Sequence, residues 1–155
     1  MLYWVFDLDL TLYQLPVNVS FDYKYLKPDT QLNYLLTMLP CKKVIFTNGT
    51  YKHAIVSLNK LSLRNNFMDI TARDTINDLK PHLSAFRSFI NINNIKKNDM
   101  CVFFDDQPDN LIESKKLGWI TVLISSETIL NENIDLQFPN IHIALNYFLS
   151  KIRNR

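Results

Sequence analysis

Short runs of apolar residues alternate along the chain with longer segments in which apolar positions recur every three or four residues. The short runs are rich in aromatic and β-branched residues and predict buried strands, whereas the longer segments predict amphipathic helices. The predicted strands are 2–6, 43–46, a short edge strand at 67–70, 100–104 and 120–124. The predicted helices are 29–39, 52–63, one that begins at Pro81, 110–117 and 141–152. Strands that alternate with helices predict an α/β fold, with a mainly parallel sheet covered by helices on both faces.

Composition is that of an ordinary globular domain. The chain has 155 residues, of which 47% are apolar and 21% charged, and this length suits one domain with a core of its own. The formal net charge of +2 is too small to indicate nucleic acid or an acidic membrane surface as a partner. We therefore expect a single domain over residues 1–155.

Several classes of protein are excluded by what the sequence lacks. Gly49 and Gly118 are its only glycines, so neither a Gly-x-Gly-x-x-Gly fingerprint nor a glycine-rich P-loop can be written. Asp7 interrupts the first apolar run, so this run does not have the pattern of a signal peptide. No apolar stretch reaches the roughly 18 residues of a membrane span. We expect a cytoplasmic protein, in which Cys41 and Cys101 are buried thiols and not a disulfide.

Polar residues follow the strong strands at the points where the strands end. Asp7 and Asp9 follow the first strand, Thr47 and Asn48 the second, and the pair at 105–106 the strand 100–104. The carboxyl ends of parallel strands meet at one edge of the sheet, and ligands bind there in such folds. These side chains are thus predicted to form one site.

The residue types at this edge fit phosphoryl transfer. Alternate residues leaving a strand point the same way, so Asp7 and Asp9 can both face one phosphate. Asp7 and Asp106 offer oxygen ligands of the kind that Mg²⁺ prefers, and a carboxylate can act as a nucleophile that forms an aspartyl phosphate. Thr47 offers a hydroxyl group, and Lys80 a positive charge to neutralise the developing negative charge.

Four segments also occur in the order of the motifs of a known superfamily. Residues 7–11, Asp-Leu-Asp-Leu-Thr, resemble the first motif of the haloacid dehalogenase superfamily, Asp-x-Asp-x-Thr/Val, and residues 46–48, Phe-Thr-Asn, resemble the second. Lys80 resembles the third motif, and residues 105–106, Asp-Asp, the fourth. The wider match, including Tyr13, Gly49, residues 52–54 (Lys-His-Ala), Lys80-Pro81, Asn110 and Gly118, is similar to the pyrimidine 5′-nucleotidase branch.

The resemblance implies a role for each acidic residue. Asp7 would be the nucleophile and a metal ligand, and Asp9 the general acid/base, with its backbone carbonyl on the metal. Asp106 would be a further metal ligand, and Asp105 a ligand directly or through water. Lys80 would orient Asp7, and the cofactor would be Mg²⁺.

The resemblance also implies a phosphate site and a fold. Thr47, Asn48 and Lys80 would bind the phosphoryl group. The fold would be a Rossmann-like three-layer sandwich with five strands in the order 5-4-1-2-3. Related nucleotidases carry a helical cap between the first two motifs, but residues 14–28 leave room only for a turn and a β-hairpin flap. We therefore predict a flap at about 12–28 in place of a cap.

The predicted flap is rich in aromatic residues, namely Tyr13, Phe21, Tyr23 and Tyr25. Two interpretations remain open. A hairpin can pack these rings against one another, or the rings can form a platform for a nucleobase or a tyrosine-bearing peptide. His53, His82 and His142 belong to no nucleophile motif and are predicted to be structural.

The sequence as a whole predicts an Mg²⁺-dependent phosphomonoester hydrolase that works through an aspartyl phosphate on Asp7. The substrate is expected to be a nucleotide or another small phosphate. The alternative is a phosphorylated protein or nucleic-acid end, which the missing cap favours, and a homo-oligomer would supply a neighbour as a lid. A non-catalytic binding module is disfavoured because all the motif residues are intact. A receiver domain would place its threonine and lysine after the phosphoacceptor aspartate, which is the wrong order.

Overall fold

Six strands form one parallel sheet in the computed structural model, which describes residues 1–154. In chain order they are β1 Leu2–Phe6, β2 Lys42–Phe46, β3 Asp69–Thr71, β4 Met100–Asp105, β5 Ile120–Ile124 and β6 Leu136–Phe138. Their order in the sheet is β3-β2-β1-β4-β5-β6, and every pairing is parallel. The predicted α/β class and the order 5-4-1-2-3 are confirmed, and β6 extends the sheet beyond β5.

The sequence pattern did not predict β6. The strand has only three residues, all half-buried, and its central residue is Gln137. It pairs with β5 at the edge of the sheet, with Phe138 opposite Ile124. A strand this short has no measurable period, and an edge strand needs no continuous apolar run.

Five α-helices in the described part of the chain cover the sheet: α1 Thr30–Thr37, α2 Tyr51–Lys60, α3 Leu83–Ile92, α4 Pro108–Lys116 and α5 Ile141–Arg153. Three of these helices begin with a side chain that caps their first turn. Asp29 accepts the N–H of Leu32, Thr50 that of His53, and Asn140 that of Ile143. The third helix was predicted from Pro81 but begins two residues later, after a cis Lys80–Pro81 peptide bond. The fourth begins at Pro108, where proline needs no amide partner.

Alternate residues of β1 face the two helical layers. Trp4 and Phe6 belong to one buried cluster with residues of α1, α2 and α5, and Phe6 stacks on Phe104 at 4.7 Å between ring centroids. Tyr3 and Val5 belong to a second cluster, which includes residues of α3 and α4. The sheet is therefore the middle layer of a three-layer sandwich, and β1 at its centre is buried on both faces.

The segment 12–28 lies between β1 and α1. Its described residues form turns and one short 3₁₀ helix, Tyr23–Tyr25, without the β-hairpin that we expected. Tyr13 and Leu26 are buried and fix the two ends of the segment to the core. No cap stands over the sheet in the described part of the chain. None of the helices within residues 1–154 is long and apolar enough to cross a membrane.

We expect Phe89→Ala in α3 to destabilise the fold by about 3–5 kcal/mol, because it removes a fully buried ring and leaves a cavity. The ring of Phe89 stacks on that of Phe46 at 4.5 Å. Denaturant unfolding of the variant would measure the change. Ile92→Ala is the control on the same helix, since Ile92 is exposed, and its cost should stay within about 0.5 kcal/mol. Equal costs for the two variants would contradict the observed packing.

Candidate active site

A tight turn after β1 presents the two carboxylates of the first motif. The Asp7 amide donates to the Phe104 carbonyl of β4 at 2.9 Å, which continues the sheet pairing past the strand end. The chain then turns, and the Leu12 amide donates to the Leu8 carbonyl at 3.0 Å. Leu10 takes a φ of 60°, a left-handed conformation that is strained for a leucine and is common at functional sites.

Three carboxylates meet where β1 and β4 end. Asp7, Asp105 and Asp106 each offer an oxygen, and these oxygens lie within 4.8 Å of one another. Burial raises the pKa of Asp7 to about 6, and Asp106 adds to the rise while Lys80 opposes it. Burial and the neighbouring Asp7 also raise the pKa of Asp105 to about 6. Oxygen ligands with this much clustered negative charge fit a hard divalent cation such as Mg²⁺.

Lys80 is buried in the middle of this charge. Its Nζ donates to Asp7 Oδ1 at 3.0 Å, to Asp105 Oδ2 at 2.8 Å and to the Phe46 carbonyl at 2.7 Å. Burial opposes the charge on Lys80, but the two carboxylates outweigh burial and hold its pKa above the usual value. An ammonium group has three donors, so the protein already uses all of them. Lys80 thus fixes Asp7 and balances the carboxylates by its charge.

Three neutral side chains orient the acids. The Thr11 hydroxyl lies 3.1 Å from Asp7 Oδ2 and 3.3 Å from Asp106 Oδ1, so it bridges the two strands. Gln107 Nε2 donates to Asp106 Oδ2 at 3.0 Å, and Asn110 Nδ2 donates to Asp105 Oδ2 at 3.0 Å. The sequence predicted no role for Thr11 or Gln107, although Thr11 belongs to the first matched motif.

The loop after β2 forms another wall of the site. Thr47 is buried, and its Oγ1 accepts the Gly49 amide at 3.0 Å. The Asn48 side chain makes two hydrogen bonds with the backbone of Lys80, accepting its N–H at 2.9 Å and donating to its carbonyl at 3.0 Å. The side-chain amide of Asn48 therefore holds the Lys80 loop in place. The predicted contact of Asn48 with phosphate would be made by its backbone N–H.

A cleft of about 200 Å³ joins these residues. Its walls include every predicted catalytic and phosphate-binding residue as well as Asp106, namely Asp7, Asp9, Thr47, Asn48, Lys80 and Asp106. Asp105 lies behind them, fully buried and hydrogen-bonded to Lys80, Asn110 and the Gln107 amide. A larger cleft of about 470 Å³ lies at the amino ends of the strands, beside Met1, Lys42 and Asp99. It is therefore at the opposite end of the strands from these groups.

Asp9 has partners that the sequence analysis did not identify. His53 Nε2 lies 2.7 Å from Asp9 Oδ1, and the Tyr13 hydroxyl donates to the same oxygen. The Tyr23 hydroxyl lies 2.8 Å from His53 Nδ1. His53, which was predicted to be structural, therefore belongs to the site. The available signals were its position shortly after the second motif and the resemblance of residues 52–54 to the pyrimidine 5′-nucleotidase branch.

Part of the predicted aromatic flap packs beside Asp9. The Phe21 ring contacts those of Tyr23 at 5.0 Å and His53 at 5.1 Å, measured between centroids. A cavity of about 310 Å³ adjoins this group and is lined by Asp9, Leu10, Tyr13, Leu15, Phe21 and His53. Tyr25 lies outside this lining, where Lys24 Nζ sits 5.1 Å from its ring centre. The other two histidines do not line the cleft. His142 pairs with Asp29 at 2.7 Å, and His82 precedes α3.

Comparison with known families agrees with the site. The family model described as haloacid dehalogenase-like hydrolase matches residues 22–124, about two thirds of the chain. The protein belongs to this family of hydrolases. The matched range contains the loop after β2, Lys80 and the acidic pair that ends β4, whereas the Asp7 turn precedes it.

Solved structures share the fold at low sequence identity. A protein from Thermotoga maritima, provisionally assigned as a beta-phosphoglucomutase, has a TM-score of 0.75 at 13% identity, with 97% of this chain and 99% of that chain covered. A haloacid dehalogenase-type phosphatase from Thermococcus onnurineus has a TM-score of 0.64 at 21% identity, over 78% of this chain and 57% of that chain. L-2-haloacid dehalogenase from Xanthobacter autotrophicus, with chloropropionic acid covalently bound, has a TM-score of 0.65 at 16% identity, over 84% and 63%. The chain thus spans about three fifths of the last two proteins.

We expect Asp106→Asn to raise the melting temperature in EDTA and to abolish the stabilisation by Mg²⁺. The variant removes one of three clustered carboxylates, so it relieves repulsion when no cation is bound but loses a ligand. In wild type, Mg²⁺ at 100 times its Kd should add about 2.7 kcal/mol of stability. Calorimetry with and without Mg²⁺ measures both effects, and Asp109→Asn is the control, since Asp109 is exposed on α4.

The stability of the metal-free fold is expected to depend on pH, and the pKa of Asp7 gives the sign of this dependence. The pKa of Asp7 rises from its usual 3.8 to about 6 in the fold, so the folded state binds more protons than the unfolded state between these values. Metal-free wild type should therefore lose stability as the pH rises from about 4 to 6. A metal-free Asp106→Asn variant that melted below wild type would contradict the predicted repulsion.

We also expect Gly49→Ala to lower activity without unfolding the protein. A Cβ at Gly49 would lie 3.0 Å from His53 Cδ2, 3.3 Å from Thr47 Oγ1 and 3.4 Å from Asp9 Oδ2. These neighbours must shift by a few tenths of an ångström, and displaced catalytic groups can cost up to about 10²-fold in rate. Gly118→Ala is the opposite control: a Cβ there meets nothing, but the φ of 81° makes it destabilising. Phosphatase assays and thermal melts separate the two effects.

Proposed function

We propose that the protein is an Mg²⁺-dependent phosphomonoester hydrolase that forms an aspartyl phosphate on Asp7. The observation that carries this proposal is a single cleft of about 200 Å³ that holds Asp7, Asp9, Thr47, Lys80 and Asp106 together. A nucleophile, an acid/base, a phosphate site and a cation site are thus within reach of one phosphoryl group. Membership of a hydrolase family and a fold shared with a phosphatase support the proposal.

In the first step a carboxylate oxygen of Asp7 attacks the phosphorus atom. The new bond joins Asp7 to phosphorus, and the bond from phosphorus to the ester oxygen breaks. Protonated Asp9 gives its proton to that departing oxygen, so an alcohol leaves and Asp9 becomes a carboxylate. Lys80 keeps Asp7 in place through its 3.0 Å hydrogen bond and offsets the negative charge that gathers during the attack.

In the second step Asp9 takes a proton from a water molecule, whose oxygen attacks the phosphorus of the aspartyl phosphate. The bond between phosphorus and Asp7 breaks, so inorganic phosphate leaves and the Asp7 carboxylate is regenerated. Asp9 ends this step protonated, as it began the first. One carboxyl group therefore serves both steps, which explains why its placement matters more than that of an ordinary surface acid.

Mg²⁺ would be held by Asp7 and Asp106, with the backbone carbonyl of Asp9 as a further ligand and Asp105 acting directly or through water. The donor set fits, because the three carboxylates lie within 4.8 Å and their clustered charge favours a cation. Bound there, the metal supplies positive charge that screens a dianionic phosphate from the carboxylates. Lys80 alone does not neutralise three acids, which is a second reason to expect the ion.

The substrate is proposed to be a nucleotide or another small phosphate with a planar, partly apolar alcohol. The support is the cavity of about 310 Å³ beside Asp9, whose lining includes Tyr13 and Phe21. An aromatic ring bordered by aromatic and aliphatic side chains is favourably buried there. The motif resemblance to the pyrimidine 5′-nucleotidase branch agrees with this choice.

A phosphorylated macromolecule is the second candidate. Leu10 and Phe21 line this cavity and are exposed on the surface, and no cap among the described residues closes over them. An open site of this kind admits the end of a nucleic acid or a side chain of a phosphoprotein. A neighbouring copy of the chain would be another way to cover these residues.

We expect phosphate release from p-nitrophenyl phosphate in Mg²⁺, loss of release in EDTA, and a loss of about 10³-fold or more in Asp7→Asn, which removes the nucleophile. A panel of nucleotides, sugar phosphates and phosphopeptides then ranks the substrates. Asp109→Asn is the matched control, because the same chemical change falls outside the cleft. Full activity of Asp7→Asn would refute the covalent mechanism, and preference for phosphopeptides would favour the second candidate.

A further inference from the structure

The Asp9 carboxyl group is held through one of its two oxygens. Oδ1 accepts a hydrogen bond from the Tyr13 hydroxyl and lies 2.7 Å from His53 Nε2. Burial and the neighbouring Asp9 raise the pKa of Tyr13, so its hydroxyl stays protonated and donates. Within residues 1–154, no protein donor contacts Oδ2. The two oxygens of Asp9 are therefore not equivalent.

The free oxygen faces the phosphate cleft. A Cβ built on Gly49 would lie 3.4 Å from Asp9 Oδ2 and 3.3 Å from Thr47 Oγ1, so both oxygens border the same small space above Gly49. Asp9, Thr47 and Gly49 also line the cleft that contains Asp7 and Lys80. On the proposed function, Oδ2 is thus the Asp9 oxygen available to the phosphoryl group and its leaving oxygen.

His53 is itself fixed on several sides. It lies in the first turn of α2, which Thr50 caps by accepting the His53 amide at 3.2 Å. The Phe21 ring packs against its imidazole edge to face at 5.1 Å. A carboxylate oxygen accepts hydrogen bonds, so the 2.7 Å contact with Asp9 Oδ1 requires the hydrogen on Nε2. In a neutral imidazole Nδ1 is then the acceptor, and the Tyr23 hydroxyl, 2.8 Å away, donates to it.

We propose that His53, oriented by Tyr23, is a positioning residue that turns Asp9 so that Oδ2 exchanges the proton with the leaving oxygen. The inference rests on the proposed phosphatase function and deepens it. Because Oδ1 already accepts two donors, it stays bonded whether or not Oδ2 carries a proton. The same arrangement then serves the acid step and the base step without a rearrangement of side chains.

A positioned acid matters most when the departing oxygen is strongly basic, and it matters little when the departing anion is already stable. Phenyl phosphate and p-nitrophenyl phosphate present the same ring to the cavity beside Asp9 but differ in this basicity. Loss of His53 should therefore harm the first substrate much more than the second.

The experiment measures kcat/KM for both aryl phosphates in Mg²⁺, because kcat/KM reports the steps up to departure of the leaving group. In His53→Ala the ratio of kcat/KM for phenyl phosphate to that for p-nitrophenyl phosphate should fall about 10²-fold. His53→Gln, whose amide can donate in place of Nε2, should restore most of the ratio. Tyr23→Phe should lower the ratio by about tenfold.

Two controls separate positioning from general damage. His142→Ala removes the other histidine that pairs with an aspartate at 2.7 Å, far from the cleft, and should leave the ratio unchanged. In an Asp9→Asn background, His53→Ala should add little further loss, because His53 acts through Asp9. Equal losses for both substrates in His53→Ala, or full additivity with Asp9→Asn, would overturn the proposal.

A second measurement does not depend on turnover. The ¹⁵N spectrum of the His53 ring should show a protonated Nε2 and an acceptor Nδ1, and Tyr23→Phe should disturb this tautomer. A wild-type ring without a proton on Nε2 would overturn the inference, because Nε2 could then not donate to Asp9. If neither aryl phosphate were hydrolysed while the tautomer was as expected, the proposal of a small-phosphate hydrolase would fail, and the role of His53 toward such leaving groups would fail with it.

Discussion

The contact of Lys80 with two buried aspartates is the interaction on which the rest of the site depends. An isolated carboxylate is strongly disfavoured in a protein interior, and three of them within 4.8 Å repel one another. Lys80 Nζ offsets part of this charge through hydrogen bonds to Asp7 and Asp105 at 3.0 Å and 2.8 Å. Since one ammonium group faces three acids, the cluster keeps an excess of negative charge, and this excess suits the cluster to hold a cation.

The surrounding fold serves to keep that contact in place. Asn48 brackets the backbone of Lys80 with two hydrogen bonds, and the Phe46 carbonyl accepts the third donor of Nζ. On the other side, Thr11 bridges Asp7 and Asp106. The parallel order of β2, β1 and β4 brings all these loops to one edge. Groups that could contact a ligand individually are used here to fix one another, which is how a preorganised site is built.

Much of this arrangement could be predicted from the sequence, because strong local signals carry it. The apolar runs of β1 and β4 end at Phe6 and Phe104, and the acids follow these runs directly. The edge at which they meet then follows from the rule for parallel sheets. Boundaries of one or two residues, as at the start of α3, lie within the range over which helix ends vary.

The parts that could not be predicted depend on contacts between distant positions. His53 lies 44 residues from Asp9, and Tyr23 lies 30 residues from His53, so no periodicity records their pairing. Asn48 was predicted to bind phosphate, and the contact of its side chain with Lys80, 32 residues away, has no local signal either. The strand β6 was missed for a different reason, since three half-buried residues at a sheet edge carry too little pattern.

The lack of a cap within residues 1–154 changes which residues can select a substrate. In the described part of the chain, the walls beside Asp9 come from the segment after β1 and from the start of α2, namely Leu10, Tyr13, Leu15, Phe21 and His53. Tyr13 and His53 also bond the Asp9 carboxyl group, and Tyr23 from the same segment bonds His53. On the proposed function, the residues that contact the leaving group are thus the same ones that aim the acid at it. Binding of a ring in this cavity would press directly on the groups that orient Asp9, so recognition and proton transfer would be coupled without a moving domain.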